Sequence, residues 1–316
     1  MNTTKIIWAT RTLNLVHGCS KPAAVPLDVM SGYVDYEVHK KWHKPGSSPE
    51  CVFCYAEKLS NEKARISERR FGHHKGWTNT LWTPENARDN VQLHPERFKE
   101  IGKLPVRHPN LPPSQRERIF ICSMGDIFHE LVPESFITEA WEWFLRYRHI
   151  LMLLTKRPER AARWSGPWPP HIWLGTTCGH SITRWRLNAL RASKAVVRFV
   201  SAEPLLEDIA PVLDLTGIDW VICGGESGPG FRKMEMQWAR NLRDLCARSG
   251  VGFFLKQDSG YHPGLRPYLV EEDGRQMKWR QYPGELTRPV EVGPDEEVEE
   301  RAEQGERELF PVLVKP

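Results

Sequence analysis

The chain has 316 residues, 40% of them hydrophobic, with a net charge of +4 and seven cysteines, at 19, 51, 54, 122, 178, 223 and 246. That is enough apolar material for one large domain or two small ones. No stretch reaches the ~20 apolar residues of a membrane span. The opening MNTTKIIWATRTLNLVHG also lacks the apolar block and cleavage site of a secretory signal. The expectation is a soluble, cytoplasmic protein with no membrane partner. In a reducing compartment paired cysteines serve metal or redox chemistry more often than structural bridges.

In chain order, a first strand is expected near 11–17, ending at Cys19 in VHGCS. A Pro-, Lys- and His-rich insertion, 20–50, follows. It leads into ECVFCYA at 50–56 and a helical stretch, AEKLSNEKARISERR. Further apolar runs read as buried strands: the core of ERIFICSMGD, then RHILMLLTKR, HIWLGTTC, AVVRFVSAEP, DWVICGGESG and VGFFLKQ. The segments between them, such as PESFITEAWEWFLRYR, SITRWRLNALRAS and MEMQWARNLRDLCARSG, carry helical apolar spacing, with Gly250 as a stop for the last.

Alternation of this kind specifies an α/β fold with a parallel sheet buried on both faces. About seven units fit a full or partial (β/α) barrel, and a doubly wound open sheet is the rival. Residues 1–259 read as the barrel with its insertion at 20–50, and 260–316 as a C-terminal hairpin turning at Asp273-Gly274 plus an acidic tail. That tail, 295–308, holds eight acids and two arginines, so the balance outside it is +10.

Polar or small residues stand where each apolar run stops: Ser123-Met124-Gly125-Asp126, Thr155-Lys156-Arg157, Thr176-Thr177-Cys178, Ser201-Ala202-Glu203, Gly224-Gly225-Glu226 and Lys256-Gln257-Asp258. In a barrel these ends meet on one face, where chemistry sits. Any one of them alone reads equally as a cap or a turn.

Cys51 and Cys54 are spaced to grip one metal or cluster, and disulfide, zinc and iron–sulfur readings are all open on spacing. Cys19 adds a third thiol. His39 and His43, spaced H-x3-H, offer the zinc alternative, but they precede the CxxC and leave Cys19 over.

Taken together, GCS at 18–20, SPECVFCYAEK at 48–58, ICSMGDIFHELVPESFI at 121–137, LLTKRPERA at 153–161, VRFVSAEPLL at 197–206, IDWVICGGESGPGFRKM at 218–234 and WARNLRDLCARSGVGFFLKQ at 238–257 resemble a family of phage-encoded radical-SAM-like proteins named after gene products thirty-seven and sixty-eight. The resemblance implies a radical SAM (β/α) barrel, with Cys19, Cys51 and Cys54 holding a [4Fe–4S] cluster whose fourth iron is open to S-adenosylmethionine (SAM). It also implies that a 5′-deoxyadenosyl radical abstracts a substrate hydrogen, and that the protein orients and shields cofactor chemistry.

By the same resemblance Phe53 lies against the adenine, and Ser123, Met124, Gly125 and Asp126 form the segment that binds the SAM amino group. Thr155, Lys156 and Arg157 face its carboxylate or a substrate phosphate, and Glu203 and Glu226 face ribose hydroxyls or substrate. Gly224 and Gly225 let backbone approach the ligand. Two departures stand out. The gap between Cys19 and Cys51 is longer than the family's, and TTCGH brings Cys178 to the fourth strand end. Cys178 is a hydrogen donor to a product radical on one reading and a small core residue on the other. Cys122, Cys223 and Cys246 read as core.

The family's setting implies an isomerisation of amino-acid-modified thymine in DNA, or of its nucleotide, with an electron donor such as flavodoxin or ferredoxin, in the host cytoplasm if phage-encoded. The +10 balance agrees with a nucleic-acid partner. Trp77, Trp82 and Trp185 are candidates to stack on a flipped base. The rival readings are a radical SAM lyase acting on DNA or tRNA with Cys178 as donor, and a zinc-stabilised nucleic-acid-binding protein without catalysis.

Overall fold

The computed structural model describes residues 1–4, 6–30, 40–41, 43–44, 46–73, 77–104, 110–264 and 266–292. The acidic tail expected at 295–308 and His39 lie outside the described residues.

Seven parallel strands form one curled sheet, a half-barrel wrapped by helices. They are β1 (Arg11–Leu13), β2 (Arg118–Ile121), β3 (Ile150–Thr155), β4 (Ile172–Thr177), β5 (Val197–Ala202), β6 (Trp220–Gly224) and β7 (Gly252–Gln257). Their spatial order follows the chain, so each strand pairs with its sequence neighbours. This is the strand set that the apolar runs specify, and the sheet is a partial barrel.

The long excursion between β1 and β2 carries α1 (Tyr55–Phe71). Helices α2 (Glu134–Arg146), α3 (Pro158–Arg163), α4 (Trp185–Arg191) and α5 (Met236–Ser249) cross over after β2, β3, β4 and β6. Gly250 ends α5 at φ +67°, the left-handed cap that glycine takes without a Cβ penalty.

Alternation along each strand divides the apolar residues into two layers. Ile119, Ile121, Leu151, Leu153, Leu174, Val200, Val221 and Leu255 pack outward under the helices. Phe120, Met152, Trp173, Phe199, Trp220, Ile222 and Phe254 fill the inside of the curl with Trp8 and Tyr282. Trp220 is fully buried among Phe199, Phe254, Trp173 and Tyr282, with ring centroids 5.5–6.0 Å away. This aromatic floor closes the lower lumen, so the open end lies where the strands finish.

The free edge of β7 is covered by residues 279–282. Leu255 N–H donates to the Trp279 carbonyl (2.8 Å) and Gln281 N–H to that of Phe253 (3.0 Å). The segment then reaches β2, with the Arg118 guanidinium 4.6 Å over the Tyr282 ring and the Glu285 carboxylate accepting from Ser114 N–H and hydroxyl. The expected hairpin is present, Leu269–Val270 against Gln276–Lys278, with Gly274 at φ +84°. Tyr282, beyond that hairpin, belongs to the barrel's own core.

Removing the central ring of the floor leaves a cavity that its rigid neighbours refill only in part. Trp220→Ala is expected to cost about 3–5 kcal/mol, read as a lowered urea midpoint with secondary structure retained below it.

Candidate functional site

The three cysteines approach from either side of the insertion. Cys19 follows Gly18, which sits at φ +85° and so close to Asn90 that an added Cβ would lie 1.9 Å from its carbonyl oxygen. Gly18 N–H donates to the Met124 carbonyl (2.9 Å), which sets Cys19 beside the end of β2. Cys51 ends a single 3-10 turn, Pro49–Cys51, and Cys54 is the N-cap of α1. Lys21 and Glu57 form an ion pair at 2.5 Å that ties the Cys19 loop to α1, while the Lys21 N–H donates to the Cys19 sulfur at 3.3 Å.

A buried ion pair fixes the CxxC loop to the barrel. Glu50 accepts from Ser48 Oγ (2.6 Å), Thr183 Oγ1 (2.6 Å) and Gly179 N–H (3.1 Å), with Arg186 Nη1 at 3.7 Å. Both side chains of the pair are inaccessible to solvent. Arg186 also donates to the Thr177 carbonyl and Ser48 Oγ. Burial opposes the Glu50 charge, but Arg186 and the Ser48 and Thr183 hydroxyls hold its pKa below the usual carboxylate value. A second arginine, Arg232, grips the Pro49 carbonyl (3.0 Å), makes a forked pair with Glu226 (2.6 and 2.9 Å) and lies 5.3 Å over the Phe53 ring.

These ties bring the three thiols into one another's field. Burial pushes Cys51 up to about 11, with Cys54, Cys19 and Glu50 adding to the rise and Lys156 opposing it. Cys54 is raised for the same leading reason and feels both Cys19 and Lys156. Burial works against the Lys156 ammonium, yet the two thiols and Glu50 raise its pKa overall. Arg157 is buried and held charged by Cys19, Asp126 and Glu130 against the cost of burial, with Nη1 3.6 Å from the Cys19 sulfur. Among the described residues no group of three or more His, Cys, Asp or Glu side chains is placed to hold a metal ion. Arg157 thus faces the Cys19 sulfur, and Lys156 lies in the field of Cys51 and Cys54.

The remaining sequence-expected residues divide. Cys122, at φ +63°, turns the chain into Ser123–Asp126, where Asn14 Oδ1 accepts from Ser123 Oγ (3.1 Å) and Met124 N–H (2.9 Å). Gly125 packs so tightly on β1's continuation that an added Cβ would meet the Val16 oxygen at 2.6 Å. The Asp126 carboxylate is already taken up, accepting from Phe128 N–H, Thr155 Oγ1, Lys156 N–H and Arg157 Nη1. It joins the β2 and β3 ends, and Thr155 serves the same turn. Phe53 and Tyr55 are exposed, at 37% and 55%, and the Tyr55 hydroxyl donates to the Ser123 carbonyl at 2.6 Å.

Glu203 pairs with Lys256 at 2.7 Å inside the mouth. Gly224 stands between them, and Gly225 lies where a Cβ would meet Ser259 N at 2.2 Å. Glu226 is spent on Arg232.

Several expectations fall elsewhere. Cys178 is fully buried in the outer core, its sulfur against the His180 carbonyl and its thiol pushed up to about 12 by burial. Trp82 and Trp185 are buried and unable to stack on a base, the latter with Nε1 donating to the Ala24 carbonyl. Trp77 is half-buried between His17 and the Lys63 ammonium. His43 Nδ1 faces the Val25 carbonyl at 3.1 Å, within the insertion. Sequence reasoning missed Glu50, Arg186 and Arg232 as organisers of the loop. The available signal was a glutamate placed directly before the first cysteine of the CxxC, which carried no meaning without its partner 136 positions away.

The chain belongs to the family described as a protein of unknown function (DUF5131), whose model matches residues 45–288. The match includes Cys51 and Cys54 and begins after Cys19. No curated protein and no solved structure matches the chain.

Because the pKa of Glu50 is lowered on folding, its stabilising share is complete above the ordinary value of 4.5 and drains away as pH falls through the lower folded value. Urea titrations from pH 7 to pH 3 are expected to show this acid limb, and Glu50→Gln is expected to flatten it. Glu50→Ala leaves Arg186 charged and buried without its partner, at a cost of about 3–5 kcal/mol at pH 7.

Proposed function

We propose that this chain is a radical SAM enzyme of the half-barrel type, with Cys19, Cys51 and Cys54 as ligands of a [4Fe–4S] cluster. The observation that carries the reading is that Cys51 and Cys54 lie within the field of Cys19 and Lys156, with Arg157 Nη1 3.6 Å from the Cys19 sulfur. Thiols are the ligand type such a cluster takes. Three thiols leave one iron of four open for a ligand, and two adjacent cations suit the negative charge that thiolate ligation brings. When bound, the cluster supplies the single electron that opens a carbon–sulfur bond of SAM and begins radical chemistry.

The chain's own residues do the rest. Lys156 and Arg157 balance the thiolates and hold the Cys51/Cys54 and Cys19 sides together. Phe53, flanked by Lys58 at 5.0 Å and Arg232 at 5.3 Å, offers a ring face to a purine. Tyr55, fixed to Ser123, spans the thiol loop and the end of β2. The aromatic floor keeps water out from below, which matters where a carbon radical would react with any stray donor.

The substrate we propose is an amino-acid-modified thymine in DNA, or its nucleotide, and the reaction an isomerisation. In duplex DNA the base must be flipped out to reach the mouth. A flavodoxin or ferredoxin supplies the electron, and the reaction runs in the cytoplasm, that of the host if the protein is phage-encoded. With Cys178 in the outer core, no observation favours a cysteine hydrogen donor.

Anaerobic reconstitution with iron and sulfide is expected to give about four irons per chain and a brown protein. Cys19→Ala, Cys51→Ala and Cys54→Ala should each lower iron retention and reductant-driven 5′-deoxyadenosine formation by tenfold or more, whereas Cys178→Ala should leave both in place. Nucleoside mass spectrometry of phage-type modified DNA after incubation is expected to show an isomer of unchanged mass. One tight zinc with no SAM cleavage would overturn the class. Unchanged nucleosides beside abundant 5′-deoxyadenosine would overturn the substrate.

A further inference from the structure

The lumen holds a second pair of charges that the thiol site does not use. Glu203 follows β5 and Lys256 lies on β7; their charged atoms are 2.7 Å apart, with side chains 13% and 26% exposed. Ser201, buried and on the lumen face of β5, donates to Glu203 Oε1 at 3.2 Å. Between the two strands, β6 ends in Gly224. A Cβ there would stand 3.4 Å from both Glu203 Oε2 and Lys256 Cβ, so the glycine lies directly against the pair. The β6–β7 register shifts between Leu255 and Gln257, an irregularity that re-aims Lys256. Below the pair lie the rings of Phe199, Trp220 and Phe254.

A half-desolvated ion pair above an aromatic floor is a costly way to fill space, since apolar residues of similar size pack there at no loss. What it offers is a plus and a minus held side by side, each still partly exposed to solvent. The complementary ligand presents a carboxylate to Lys256 and an ammonium to Glu203. We propose that Glu203 and Lys256 form the receptor for the zwitterionic end of an α-amino acid, carried either by the substrate base or by the methionyl end of SAM. The inference rests on the reading of the mouth as the reaction site, and it names the chemistry read there.

The test is equilibrium binding to the full-length chain, both as purified without iron and after reconstitution. The probes are SAM, a thymidine bearing an α-amino acid on its 5-methyl carbon, and the decarboxylated counterpart of that thymidine. Wild-type protein is expected to bind at least one zwitterionic probe and, if it is the thymidine, to prefer it to the plain amine about tenfold or more. Lys256→Met should abolish that preference while the plain amine still binds, and Glu203→Gln should weaken both thymidines. A tenfold loss confined to SAM assigns the pair to the methionyl end, and one confined to the thymidine assigns it to the substrate. A purely structural pair would lower the melting temperature and leave the probe affinities and their ratio unmoved. That result, or no wild-type binding of either zwitterion, overturns the proposal. Iron content and substrate-free 5′-deoxyadenosine formation report on the cluster separately, so failure of one reading is distinguishable from failure of the other.

Discussion

The buried contact between Glu50 and Arg186 is the constraint from which the geometry of the mouth follows. Two charges without solvent access carry a desolvation cost of several kcal/mol each, and they persist only because their partners are supplied almost in full. Glu50 takes donors from Ser48, Gly179 and Thr183, and Arg186 donates to Ser48 and Thr177. Only Nε of Arg186 is left without a partner. Every one of those groups lies on the CxxC loop or between the last residue of β4 and the first turn of α4. The loop that bears Cys51 and Cys54 is therefore registered against the barrel by polar satisfaction, beside the apolar packing of Cys54 and Ala56 with Met124 and Trp82.

Once that loop is placed, the electrostatics of the mouth are set by burial and by few charges. Neutral thiols are favoured in the absence of a cation, because the surroundings of Cys51 and Cys54 penalise thiolate. Lys156 and Arg157, consecutive on one turn, divide the work. The ammonium faces Cys51 and Cys54, and the guanidinium lies beside Cys19 and Asp126.

The lumen shows a related division of labour. The lower half is filled by aromatic rings and needs no partner from outside. The upper half holds Glu203, Lys256, Ser201 and the bare Gly224, a polar wall. Apolar packing is concentrated at the floor and charge at the mouth, two layers of one sheet.

The strands were legible in the sequence because parallel strands covered on both faces are short, continuous apolar runs, and all seven, Arg11–Leu13 through Gly252–Gln257, lie within the runs. Gly250 and Gly274 were legible for a similarly local reason, since left-handed backbone selects glycine. Asp126 shows where such reading stops. An acid at a strand end is the same letter whether it meets a ligand or, as here, closes a turn with Thr155 and Lys156. Trp82, Trp185 and Cys178 show it again, because burial depends on neighbours distant in the chain. Local pattern thus determined the parallel strands and the end of them that carries polar residues, while the closure of the sheet into a half-barrel came from the tertiary structure. Tertiary structure alone decided that Glu50 would find Arg186, that Arg232 would clamp Phe53, and that Lys256 would face Glu203 across a glycine. Each is a pairing between distant residues whose energy exists only after the strands have curled.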